Sequence, residues 1–95
     1  MIGNIVTVMT TTGEFVGKVV EYNTDVLELS DPRMIVTTES GMGFANGVAM
    51  TSGESPKEAT FKDYIFVTPT NTQVADAWRE HTSGIILNNQ GIIGA

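Results

Sequence analysis

Apolar and polar positions alternate with a period of two through most of residues 1–69, and switch to helical spacing only after Pro69. Ile5 to Thr11 read IVTVMTT, a β-branched run ending at Thr12-Gly13, which predicts a first strand and its turn. The next segment, EFVGKVVEY, sets Val16, Lys18, Val20 and Tyr22 against Phe15, Gly17, Val19 and Glu21. A glycine inside such a run marks a sharp bend or a close backbone approach. The Asn-Thr-Asp that follows supplies a turn, because Asn and Asp tolerate turn conformations and bond their own backbone. In VLELSDPRMIVTTES the alternation resumes, with Leu27 and Leu29 on one face and Val26, Glu28 and Ser30 on the other. Asp31-Pro32 within it predicts a sheet edge, a turn or a bulge, or else a contact tip for a partner.

Asn46-Gly47 before Val48-Ala49-Met50 predicts a hairpin inside a Gly- and Ser-rich stretch, with a polar loop after it. ATFKDYIFVTP, from Ala59 to Pro69, predicts one last strand carrying Phe61, Tyr64, Ile65, Phe66 and Val67. Beyond it, Thr70 and Gln73 fit a capping box, and Val74, Ala77, Trp78 and His81 recur at helical spacing up to Gly84. One amphipathic helix is expected, with Trp78 and Val74 packing it onto the sheet. The expected organisation is a β unit over residues 1–69, a helix over 70–84 on the same domain, and an apolar tail over 85–95 that docks, for instance on a neighbouring subunit.

Ninety-five residues make a single domain with a thin core. The 5 basic and 11 acidic side chains leave a net charge of −6, which opposes any binding mode that tracks phosphates over a broad basic surface. Nucleic acid, if bound, is bound locally. With no cysteine, neither disulfides nor thiolate metal sites are available. The first residues lack the basic and apolar regions of a secretory signal, and no run approaches the ~18 apolar residues of a spanning helix, so no membrane association is expected and the cytoplasm is the default location.

Catalysis finds little support in the sequence. The lone histidine, His81, has no nucleophile-acid arrangement around it, and GMGFANG has the glycines of a phosphate loop without its Gly-Lys-Ser/Thr ending. Asp76 and Glu80 are not three or four residues from His81, so no metal site is expected there. The expectation is a protein without enzymatic activity and without cofactors, although carboxylates distant in sequence can still converge in space.

GEFVGKVVEYNTDVLEL resembles the first motif of the Sm-like family, which includes the Sm, LSm and bacterial Hfq proteins: a glycine opens the second strand, a second glycine bends it, and a short turn leads into an apolar third strand. Gly13, Gly17, Val19, Asn23, Val26, Leu27 and Leu29 occupy those places. KDYIFVTP, Lys62 to Pro69, resembles the close of the second motif, an apolar run ending in Ser/Thr-Pro. The resemblance spans Ile5 to Pro69 and extends to small Sm-like proteins carried by marine viruses. It implies a mostly β fold, a small five-stranded Sm-like (SH3-like) barrel, here with a short C-terminal helix instead of the family's usual N-terminal one. It also implies a homo-oligomeric ring built by pairing exposed strands, and binding of single-stranded RNA.

The motif residues of the nucleotide pocket depart from the family pattern. Where the first motif has Asp and then Asn, this chain has Asn23 and Leu27, and leucine cannot hydrogen-bond a uracil edge. Phe61, Lys62 and Asp63 stand in place of the second motif's Arg-Gly. The candidate RNA-binding residues are therefore Tyr22, Asn23, Asp25 and Lys62: an aromatic to stack on a base, polar groups for its edge, and a cation for a phosphate. The plainer alternatives are that Tyr22 packs in the barrel, Asn23 only makes the turn, and Lys62 only solubilises a strand. A second class of function stays open: an assembly module that binds protein partners through the ring faces, with the glycine-rich loop from Gly41 to Gly53 taking part.

Overall fold

A computed structural model describes residues 1–83. Six strands, β1 (Ile5–Met9), β2 (Glu14–Tyr22), β3 (Leu27–Thr38), β4 (Gly41–Phe44), β5 (Glu58–Phe61) and β6 (Phe66–Pro69), are followed by one helix, α1 (Thr72–Ser83). All the pairings are antiparallel. The path runs β4-β3-β2-β1-β6, with β5 on β3 beside β4. The chain is thus mostly β, with an antiparallel sheet and a short C-terminal helix. The expected count of five strands is corrected to six, and no ladder joins β6 to β4 or β5 among the described residues. The expectations for Gly84 and the apolar tail lie outside those residues.

The sheet is nevertheless strongly curled, for a reason of chain length. Five strands laid flat from β5 to β6 would hold those two about 19 Å apart at ordinary strand spacing. The link from Phe61 to Phe66 spans about 18 Å even if fully extended. It is not extended, since Asp63 has a left-handed φ of 55°. The sheet's two ends must therefore approach, and Phe61 from β5 and Val67 from β6 pack against one cluster with Val6, Val8, Val19, Leu27 and Leu29.

The bend in the sheet sits where the sequence places a glycine and a proline in different strands. Val16 pairs with Arg33 and Lys18 with Ser30, so Gly17 faces two residues, Asp31 and Pro32, in a bulge. Asp31 has a φ of 48° and donates its N–H to Lys57 O, so the residue before proline leaves the ladder without an unpaired amide. A Cβ on Gly17 would lie 3.0 Å from Leu29 Cβ and 3.1 Å from Ser30 O, closer than ordinary contact. Bend and bulge are one feature. It makes Asp31-Pro32-Arg33 an internal kink, with Pro32 and Arg33 buried, and not a contact tip.

α1 covers the sheet's other face. Val74, Ala75 and Trp78 pack on Ile5 and Val16, with Ile35, Met42 and Phe44 at the margin, and Trp78 Nε1 donates to Asp31 O at 2.9 Å. Arg33 lies buried on this side of the sheet, its NH1 donating to the carbonyls of Pro32 and Pro56 while Nε has no partner. The helix cap differs from the expected box. Asn71 is the cap, its Oδ1 accepting from Val74 N at 2.9 Å, whereas Thr70 bonds Thr7 through their hydroxyls.

Two further corrections concern turns. The hairpin lies at Glu39-Ser40, between β3 and β4, where Gly41 adopts a φ of 116°. Asn46 to Lys57 form a loop without strands, in which the Ser52 hydroxyl accepts from the Val48 and Ala49 amides. The last predicted strand is split into β5 and β6 by Lys62 to Ile65, because Asp63 takes the left-handed conformation that Asp tolerates and a ladder does not.

Candidate nucleic-acid interface

Two loops meet at one end of the curled sheet. The first is the β2–β3 turn, where Asn23 Oδ1 accepts from Asp25 N and Val26 N at 3.0 Å each. This is an Asx turn, closed by Asn23 N donating to Val26 O at 2.9 Å. Asn23 thereby makes the turn, and its acceptor is spent on backbone. The second loop is Lys62 to Ile65, anchored by Ile65 N donating to Met9 O.

Between the loops lies an open cleft of about 300 Å³, lined by Thr24, Asp25, Lys62, Asp63 and Tyr64. Of the four residues proposed from sequence, Asp25 and Lys62 line this cleft together, although 37 positions separate them. Tyr22 does not line it. A second bulge, at Val20, brings Glu21 opposite Glu28 and Tyr22 opposite Leu27, which moves Tyr22 off the face it would share with Val16 and Lys18 in an unbroken alternation. The Tyr64 phenol is pushed above its ordinary value by partial desolvation first and by neighbouring Tyr22 second.

The cleft's charges are unspent. Among the described residues, the one ion pair joins Arg79 to Asp76 on the helix surface, so Lys62, Asp25 and Asp63 have no side-chain ion pair. The two carboxylates and one ammonium leave the cleft with a net charge of −1. It can accept hydrogen bonds at two carboxylates, donate from one ammonium, and stack or hydrogen-bond at phenols.

Asp63 and Tyr64 escaped the sequence reading, which held them inside a continuous strand. The signal was Asp63 itself, a turn former in the middle of an apolar run. A second hollow of about 310 Å³ lies between Gly3 to Ile5 and the start of the helix, where Pro69, Thr70, Thr72, Ala75 and Arg79 line it. No group of three or more His, Asp or Glu side chains suited to a metal ion is formed among the described residues. No helix among them is long and apolar enough to cross a membrane. No known protein family, no curated protein and no solved structure matches the chain.

Proposed function

We propose that the chain is an Sm-like barrel module that assembles into a homo-oligomeric ring and binds single-stranded RNA, without catalysing a reaction. The observation that carries this reading is the convergence of the β2–β3 turn and the β5–β6 loop on one cleft holding Asp25, Lys62 and Tyr64. An open, partly polar cleft edged by aromatics suits an unstacked base better than a duplex, whose recognition needs groove-sized elements or extended phosphate contact. Assembly is favoured by β4 and β6, which end the sheet path and leave backbone groups for a neighbour's strand. The uridine selectivity implied by the resemblance is not part of this proposal, since Leu27 is fully buried and Asn23 holds the turn.

A second reading has its own observation. Met1, Ile2, Val20, Ile65 and Phe66 are exposed apolar residues, and the chain carries a net charge of −6, both of which suit a protein-binding assembly module better than an RNA binder. Native mass spectrometry with and without short single-stranded RNA separates the two. A multimer whose mass rises by whole RNA molecules, with the gain reduced in Lys62→Ala, supports the first reading. A multimer that ignores every RNA offered gives the second reading priority, and a monomer at micromolar concentration removes the ring.

A further inference from the structure

Acceptors outnumber donors in the cleft, and this bears on which base it would hold. We infer that the cleft, if it serves as the RNA site proposed above, selects bases that present N–H donors, with guanine first and uracil last, and that Asp25 and Asp63 are the selecting residues. The inference rests on that functional reading and goes beyond it, because that reading offers Asp25 for a base edge without saying which base and does not include Asp63.

The argument begins with charge. A net charge of −1 in the cleft, within a chain of net charge −6, repels a phosphodiester from its interior. The orientation that avoids this repulsion points the base at the carboxylates and leaves the phosphate to Lys62, the one cation of the lining. Ionised carboxylates accept hydrogen bonds and donate none. A uracil edge offers one N–H between two carbonyl oxygens, and both oxygens would face the carboxylate. Adenine and cytosine each present an exocyclic amine, and acidic side chains are known to accept from such amines. Guanine presents N1–H and the N2 amine side by side, which match the two oxygens of one carboxylate.

The geometry gives each carboxylate a fixed base. Asp25 follows the Asx turn, with its own amide held by Asn23 Oδ1. Asp63 sits at a φ of 55° in the loop between β5 and β6. Neither has a side-chain ion pair among the described residues. The volume of about 300 Å³ falls at the small end of ordinary ligand sites, fitting one base and not a folded RNA.

The test uses the full chain and uridine hexamers in which one internal position is U, C, A or G, with affinity measured by fluorescence anisotropy at fixed salt. The expected order is G tightest, then A and C, then U, with about a tenfold span between G and U, the size of one good base-edge pair. Asp63→Asn and Asp25→Asn replace an acceptor with a mixed donor and acceptor, and the double variant should reduce that span to about twofold or less. Asparagine tolerates the left-handed conformation, so Asp63→Asn keeps the loop. Binding of all four hexamers with equal affinity, or with U preferred, overturns the selectivity while leaving the RNA-binding reading standing. A span that persists in the double variant overturns the assignment to Asp25 and Asp63. No binding to any hexamer overturns both the selectivity and the reading beneath it.

Discussion

Replacing Gly17 by alanine tests the central feature of the fold, the shared bend of β2 and β3. The added methyl would sit 3.0 Å from Leu29 Cβ, 3.1 Å from Leu29 Cδ1 and 3.1 Å from Ser30 O. Ordinary contact begins near 3.4 Å. None of these neighbours yields easily. Leu29 is fully buried, and the Ser30 carbonyl belongs to the strand carrying the bulge. Inserting a methyl into such a site costs about 1–3 kcal/mol. Alanine also lowers the unfolded chain's entropy, which offsets about 0.4–1 kcal/mol at a glycine with ordinary φ. The net expectation is a loss of about 1–2 kcal/mol, which for a domain of this size lowers Tm by roughly 4–16 °C.

Thermal unfolding followed by circular dichroism measures the shift, and a double-mutant cycle identifies its cause. Leu29→Ala alone should cost about 2–5 kcal/mol. Combined with Gly17→Ala, it removes Leu29 Cδ1, one of the three atoms the new methyl crowds, and opens space for Leu29 Cβ to shift, so the pair should be less destabilised than the sum of the singles by about 0.5 kcal/mol or more. A Gly17→Ala protein as stable as the parent would refute the close approach as the reason for glycine, and additive costs in the cycle would exclude the Leu29 side chain beyond Cβ as the source of the crowding.

Trp78→Phe keeps an aromatic ring under the helix but strands the Asp31 carbonyl that Nε1 serves, so chemical denaturation should show a loss of about 1–3 kcal/mol. Asn71→Ala removes the acceptor for Val74 N, and the same assay should register about 0.5–2 kcal/mol, while Thr70→Val should leave the helix cap intact. Burial, and secondarily the Arg33 charge, hold the His81 imidazole below its ordinary value of 6.5 beside the Phe44 ring. The folded state therefore disfavours protonation, and stability should fall as pH drops from 6.5 through the depressed value, a slope that His81→Asn should remove in unfolding curves recorded between pH 5 and 7.5. Glu28 has the opposite sign: its hydrogen bond with Glu58, with desolvation and the Glu58 and Glu21 charges, raises its carboxyl above 4.5. Its penalty sets in as pH rises from 4.5 through the raised value, so Glu28→Gln should raise Tm at pH 7 and change it little at pH 4.

The sequence by itself determined the local elements whose physics is short-ranged. β2 begins and ends where the alternation of EFVGKVVEY does, the Asn23 turn forms by bonding its own backbone, and Val74 and Trp78 fall on the buried face of α1. It also flagged Gly17 and Asp31-Pro32 as irregular, each on its own grounds of missing side chain or missing amide. Tertiary structure decided that the two irregularities are one bulge, because only strand pairing sets Gly17 opposite Asp31 and Pro32. It likewise decided the position of the hairpin, where Glu39-Ser40 prevailed over the stronger turn dipeptide Asn46-Gly47 once β4 found its register on β3. The candidate site divides along the same line. Asp25 was legible beside its turn and Lys62 as the one cation of the last predicted strand, whereas Asp63 and Tyr64 became visible only when the sheet curled and brought the β5–β6 loop to the β2–β3 turn. That approach of the two ends depends on a four-residue link reaching between opposite ends of the sheet, a constraint on distance in space that no periodicity along the chain records.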